Sequence, residues 1–187
     1  MRIIAGSAKG TRLEVAPVPG LRPTGDRQRE TLFNVIRDRV DGVSVLDLFA
    51  GSGALGLEAL SRGADACVFV EHDRRTARTL RSNLERCRLQ ERGRVIATDW
   101  RVGIRRLVDE GMRFGLLVAD PPWASVETDE WLTALEAVAV RGALLCLERQ
   151  RGLEPAATGG WALRRTLQVG DTAFHLFDRV VPIAEGC

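Results

Sequence analysis

The residues best suited to chemistry are the run Asp120-Pro121-Pro122-Trp123. Consecutive prolines fix the backbone and leave carbonyls without amide donors nearby. The Asp120 carboxylate and the Pro121 carbonyl can therefore each accept a hydrogen from one planar –NH₂ group. Trp123 offers a flat face on which a base can stack, a contact worth about 1–3 kcal/mol. The lone pair of an aromatic amine is delocalised into its ring and is a poor nucleophile. Two acceptors aimed at its hydrogens favour the pyramidal form, whose lone pair can point at an electrophile such as a sulfonium methyl group. Catalysis of this kind is positioning plus stabilisation of positive charge developing on nitrogen.

A second group surrounds the glycine run Leu46–Gly56. Gly51, Gly53 and Gly56 stand as G-x-G-x-x-G between a strand and a helix, and Glu71 ends the next strand. Taken literally this is a dinucleotide fingerprint, so a nicotinamide-dependent oxidoreductase is the reading from a different class. Two features oppose it. Asp47 sits in the strand before the loop, where it repels a pyrophosphate and attracts an ammonium- or sulfonium-bearing cofactor. About 42 residues also precede the unit, which in dinucleotide-binding proteins usually opens its domain. Glu71 can accept hydrogen bonds from ribose hydroxyls, and Asp99 from an adenine amino group with Trp100 flanking the ring. Asp99 can equally cap a helix that starts near Trp100, and the two roles are compatible. His72 reads as a surface histidine beside Glu71, and His175 as structural.

The elements that must hold these groups follow from periodicity. Residues 2–5 and 12–15 form a small hairpin, and a Pro- and Gly-containing segment covers 16–25. Thr24 or Asp26 caps a helix over about 27–39, with Leu32, Phe33, Val35, Ile36 and Val40 as its apolar stripe. From Val43 strands and helices alternate. Strands at Val43–Phe49, Ala66–Glu71, Arg94–Thr98, Phe114–Ala119 and Ala143–Glu148 are expected to be parallel, with helices over about 54–62 and 127–138, a long one ending near Cys87, and one behind the third strand. Trp161–Val169 and Thr172–Val180, around Gly170-Asp171, make a closing antiparallel hairpin.

The 187 residues suffice for one α/β unit with a proper core. No apolar run approaches the roughly 20 residues that cross a bilayer, and Met-Arg-Ile-Ile-Ala-Gly lacks the layout of a secretory signal. The four cysteines (Cys67, Cys87, Cys146, Cys187) are scattered, so a reduced protein without a metal site is expected. Net charge is only +2, but residues 1–40 hold eight basic and four acidic side chains, or +4, which leaves −2 for the rest. Arg74, Arg75, Arg78, Arg81, Arg86 and Arg88 form a second basic series. Lys9 is the sole lysine, so the positive charge is nearly all guanidinium, which suits forked contacts to phosphate. Ordinary solvated helix faces account for such runs equally well.

With these residues in place the sequence resembles the RsmD family of bacterial methyltransferases, which methylate the N2 amine of a guanine in small-subunit ribosomal RNA. The resemblance covers Arg2–Gly6 with Lys9-Gly10, Arg22-Pro23-Thr24 with Asp26-Arg27 and Arg29-Glu30, Leu32-Phe33-Asn34, Leu46–Gly63, Glu71, Asn83 and Asp120–Pro122. The N-terminal set is specific to that family, whereas the glycine loop and the Asp-Pro-Pro-aromatic run are shared by many methyltransferases. It implies an α/β class I (Rossmann-like) sheet of seven strands, mostly parallel, with a C-terminal antiparallel hairpin. Residues 1–41 would be a hairpin-helix extension and 42–187 the S-adenosylmethionine-dependent methyltransferase domain. Cofactor binding would fall to Asp47, Gly51, Gly53, Glu71 and Asp99, with Phe49, His72 and Trp100 beside them. Acceptor binding would fall to Asp120, Pro121, Pro122 and Trp123, while Arg22, Thr24 and Arg29 would lie near the active-site mouth or the RNA. The fourth motif position is usually tyrosine or phenylalanine, so Trp123 widens the stacking face. The implied setting is a cytoplasmic monomer acting on rRNA within the ribosomal particle, with no membrane or metal partner. The same chemistry also serves adenine N6 or a protein glutamine, and the N-terminal block is what favours rRNA.

Overall fold

The computed structural model describes residues 1–16, 25–121, 128–153 and 159–180, so Arg22, Thr24, Pro122, Trp123 and Cys187 lie outside the described residues. The elements run α1 (Asp26–Val35), β1 (Ser44–Leu48), α2 (Ala54–Ser61), β2 (Ala66–Glu71), α3 (Arg74–Arg86), β3 (Gly93–Ala97) and α4 (Trp100–Asp109). They continue with β4 (Phe114–Ala119), α5 (Thr128–Glu136), β5 (Ala139–Gln150), β6 (Trp161–Val169) and β7 (Thr172–Arg179). One seven-stranded sheet has the order β3-β2-β1-β4-β5-β7-β6. Pairing is parallel from β3 to β5, and β7 inserts antiparallel between β5 and β6. The α/β sheet with a C-terminal antiparallel hairpin is therefore as expected.

The parallel strands are apolar almost throughout because both faces are covered. Odd positions such as Val45, Cys67 and Phe69 pack with Leu80 and Leu84 of α3 and with α2. Even positions such as Leu46, Leu48, Val68 and Val70 pack with Ile104 and Leu107 of α4 and with Trp131, Leu132 and Leu135 of α5. All eight residues of α2 are buried, including Glu58 and Ser61, and a helix buried all round needs a second cover beside the sheet. The N-terminal hairpin supplies it. Ile3, Ala8 and Leu13, with Leu32 and Phe33 of α1 and Ile36 just after it, join the same apolar cluster as the sheet. Glu58 accepts from the amides of Ile4 (2.8 Å) and Ala5 (3.0 Å) and from Arg62 Nε (2.7 Å). Ser61 Oγ accepts from Ala8 N and donates to the Ala5 carbonyl.

Three elements differ from expectation. The helix expected over 27–39 ends at Val35 and gives way to a 3-10 turn over Arg37–Arg39. Its N-cap is Gly25, because the Gln28 carboxamide reaches back to accept from Gly25 N (2.5 Å), leaving Asp26 to pair with Arg29 and Arg2. Strand β5 begins four residues early, at Ala139, through a pairing with Phe114 that shifts register before Leu116. The hairpin expected at 2–5 and 12–15 is held by a single bridge, Arg2 to Arg12, and three flanking backbone hydrogen bonds. No helix among the described residues is long and apolar enough to cross a membrane.

Candidate active site

Strand order decides where the site lies. β1 is flanked by β2 on one side and β4 on the other, so the chain reverses its winding at β1. In open α/β sheets ligands occupy the crevice at the carboxyl ends of the strands at such a point. The glycine loop leaves β1 there, and Asp120 leaves β4 beside it.

The glycine loop is held by its own geometry and by one carboxylate. Phe49 takes a left-handed φ of 64°, unusual for a side-chain-bearing residue, and its ring meets Trp131 edge-on with centroids 5.9 Å apart. Gly53, at φ 81°, begins α2, and a β-carbon on it would lie 2.9 Å from Leu80. At Gly56 a β-carbon would meet Phe69 at 2.4 Å and Cys67 at 2.7 Å, so this third glycine lets α2 close onto the sheet. Glu71 is buried at the end of β2, where Oε2 accepts from Gly51 N (2.9 Å) and Oε1 from Asp73 N (2.8 Å). One side chain thus ties the loop to the start of α3. His72 is exposed, with Nδ1 3.2 Å from Glu71 Oε1.

Asp47 lies beneath the loop rather than in the open crevice. Only 2% of its surface is exposed, and Oδ2 accepts from Gly56 N at 2.9 Å. Burial pushes this carboxyl up to about 8; the Gly56 amide opposes the rise and the Glu71 carboxylate adds to it. Asp99 caps α4 by accepting from Arg101 N (2.8 Å), and the Arg101 guanidinium stacks 4.4 Å over the Trp100 ring. The capping role is therefore present, and it engages Oδ1 alone.

Asp120 is half-buried and Pro121 buried. Ala119 is level with Leu48 on β1 and with Leu147 on β5, so Asp120 and Glu148 stand side by side one residue further on. Side chains alternate along strands, which puts Asp47, Asp120 and Glu148 on the face that carries Val118 and Cys146. Burial holds the Asp120 carboxyl well above the usual carboxylate range, and the Glu148 and Asp47 carboxylates push it further in the same direction. Three acids thus share one edge and one face. Glu148, itself 4% exposed, does not stand out in the sequence. Its signal is a carboxylate closing the apolar run Ala143–Leu147, the position that Asp120 holds after β4.

Arg29 is corrected. Expected at the active-site mouth or the RNA, it is fully buried, with Nη2 bonded to the Arg2 carbonyl (2.5 Å) and to Asp26 (2.9 Å). It fastens α1 to the N-terminal hairpin and presents no atom to a substrate. Asn83, also fully buried, does a comparable task beside the site. Its amide donates to the carbonyls of Ser52 in the glycine loop (3.0 Å) and Glu14 (2.9 Å), and accepts from Glu14 N (2.8 Å).

The family model described as "Conserved hypothetical protein 95" matches residues 1–178. Ribosomal RNA small subunit methyltransferase D of Escherichia coli (strain K12) is 37% identical over 183 residues, covering 96% of this chain and 90% of that protein. The Haemophilus influenzae protein of the same name is 31% identical over 179 residues, covering 95% and 93%. Among solved structures, a hypothetical protein of Thermus thermophilus is 32% identical with a TM-score of 0.81, covering 94% of this chain and 98% of that one. With a family model spanning nearly all of its length and relatives of this identity, the chain belongs to the RsmD family of methyltransferases.

Proposed function

We propose that the protein transfers a methyl group from S-adenosylmethionine to the exocyclic N2 amine of a guanine in small-subunit ribosomal RNA. The observation that carries this reading is the meeting of Asp120, at the end of β4, with the glycine loop at the winding reversal, on a face shared with Asp47 and Glu148. Acids set side by side at a buried edge raise one another's proton affinity and attract positive charge. S-adenosylmethionine carries both an ammonium and a sulfonium, so it suits this edge. The relatives named above are rRNA methyltransferases, which favours the same choice.

In this reading Glu71, with His72 beside it, accepts from the ribose hydroxyls while still bracing Gly51 and Asp73. The second oxygen of Asp99 accepts from the adenine amino group. Phe49 and Trp100 flank the rings, the bare backbone at Gly51 and Gly53 allows close approach, and Asp47 contributes charge from below. Bound S-adenosylmethionine supplies an electrophilic methyl group. The Asp120 carboxylate and Pro121 carbonyl accept the two amine hydrogens, hold the nitrogen pyramidal and stabilise the positive charge that grows on it. Pro122 and Trp123 complete the acceptor set, with Trp123 the stacking partner of the base, and Arg22 and Thr24 are assigned to RNA contact with the extension of residues 1–41. The protein acts as a cytoplasmic monomer on rRNA in the assembling particle.

Labelled methyl transfer onto naked rRNA, small-subunit particles, DNA and protein, followed by nucleoside and amino-acid analysis, tests the reading. N2-methylguanosine in small-subunit rRNA is the expected product. Label confined to adenine or to protein would replace the acceptor, and preferential tight binding of NAD would overturn the cofactor.

A further inference from the structure

We propose that the outer face of α3 is a docking surface for the phosphate backbone of the RNA, through Arg74, Arg75, Arg78 and Arg81. The inference rests on the rRNA reading above and adds where the RNA is gripped.

Helix α3 buries Thr76, Ala77, Leu80, Asn83 and Leu84 and turns its arginines outward. It holds five arginines and one acid, Glu85, a balance of +4 over 13 residues. Arg74, Arg78 and Arg81, at i, i+4 and i+7, form one stripe that spans roughly 10 Å along the axis, and Arg75 lies at its side. Among the described residues no carboxylate pairs with Arg74, Arg75 or Arg78, and Arg81 reaches only the Val95 carbonyl (3.3 Å). Several other arginines do have carboxylate partners: Arg101 with Glu130, Arg106 and Arg94 with Glu110, Arg62 with Glu58, and, in the last turn of α3 itself, Arg86 with Glu14.

The helix gains nothing from this placement. Arg74 and Arg75 occupy its first turn, which contains no acid and where the helix dipole disfavours cations. Arg74 and Arg78, and Arg78 and Arg81, are like charges at the spacings where opposite charges would help. A polyanion laid along the stripe relieves both conflicts. The stripe also begins at the site: Asp73, which caps α3 through Thr76 N, donates its own amide to Glu71. A strand gripped there is close to the carboxyl edge of the sheet, and guanidinium forks suit its phosphates.

The test compares full-length Arg74→Gln/Arg75→Gln/Arg78→Gln with the wild type and with Arg105→Gln/Arg106→Gln/Arg113→Gln. The second variant removes the same charge from exposed arginines on and just after α4, across the sheet. Binding to a small-subunit rRNA fragment is followed from 50 to 200 mM salt, with duplex DNA of equal length and anionic phospholipid vesicles alongside. The α3 variant should lose roughly two from the slope of log K against log salt and bind rRNA roughly tenfold or more weakly, with KM for rRNA rising in step. Its thermal midpoint should be kept, and Arg→Lys at the three positions should restore the slope. Equal losses in the α4 variant would reduce the effect to net charge and overturn the proposal. An unchanged slope, or α3-dependent binding to DNA or vesicles but not to rRNA, would overturn it as well. If the wild type methylates rRNA and the α3 variant matches it in KM and slope, the surface fails alone. If the wild type neither binds nor methylates rRNA, the acceptor reading fails with it.

Discussion

Glu58 and Asp120 are both acids in apolar surroundings, and the fold treats them in opposite ways. Glu58, on α2, has no exposed surface and is met by two backbone amides and a guanidinium. Asp120, at the end of β4, is raised above the usual carboxylate range by burial and by two further carboxylates, Glu148 and Asp47. A buried charge given a full set of donors is a fastening, here of the N-terminal hairpin onto α2. Acids crowded together at the mouth of a sheet repel one another, and a positive ligand relieves that repulsion. Location alone does not separate structural from functional acids in this chain; the charges set beside each one do.

Breaking the first member should be the more damaging. Glu58→Ala orphans two part-buried amides and strands Arg62, and should cost about 3–5 kcal/mol by denaturant titration. A loss below about 1 kcal/mol would remove Glu58 from the comparison. Asp120→Ala should do the reverse. Turnover should fall by roughly 10²–10³-fold while S-adenosylmethionine still binds and the thermal midpoint stays level or rises, because a repelling neighbour is gone. Unchanged turnover would refute the role given to Asp120.

The pH dependence sharpens the contrast. The folded Asp47 carboxyl is raised to about 8 from 3.8, so between those values the unfolded chain has released a proton that the folded one retains. Its contribution to stability is full below about pH 4, declines as pH rises, and is exhausted above about pH 8, a change on the order of a few kcal/mol. Asp47→Asn, which keeps an acceptor for Gly56 N, should flatten that part of the stability–pH curve. A positive ligand favours the ionised form, so affinity for S-adenosylmethionine should rise with pH over the same interval in the wild type and less in Asp47→Asn. The smallest effect is expected at Asn83→Ala, about 1–3 kcal/mol for the lost buried hydrogen bonds. Hydrogen exchange should rise at Glu14 and around Ser52, and an unaltered exchange pattern would show that Asn83 does not couple them.

Most of the sheet is legible in the residues. The strand runs carry their own boundaries in Gly and charged residues, and β4 spans Phe114–Ala119 just as its apolar run predicts. Asp120 and Asp47 stand out because a carboxylate ending or interrupting an apolar strand has little structural use. Glu148 escapes notice because its meaning depends on register: only the pairing of Ala119 with Leu147 reveals that it stands beside Asp120. Arg29 misleads because an arginine in a basic segment looks like a contact for phosphate, whereas its burial depends on Asp26 and the Arg2 carbonyl, the latter 27 residues away. Glu58 and Ser61 are invisible for a similar reason, since nothing local indicates that a hairpin will settle on α2.

The insertion of β7 between β5 and β6 has a consequence for how the chain matures. Gln28 of α1 donates to Thr172 Oγ1 across 144 positions of sequence, so one anchor of this early helix is synthesised long after the helix itself. α1 emerges long before this support exists, and until then it is held by Arg29 and by the packing of Leu32 and Phe33. Contacts of such separation close late because a long loop must be ordered first. The hairpin of β6 and β7 therefore completes the sheet and also seats a helix far upstream in sequence. A stop codon that removed it would be felt among the first forty residues.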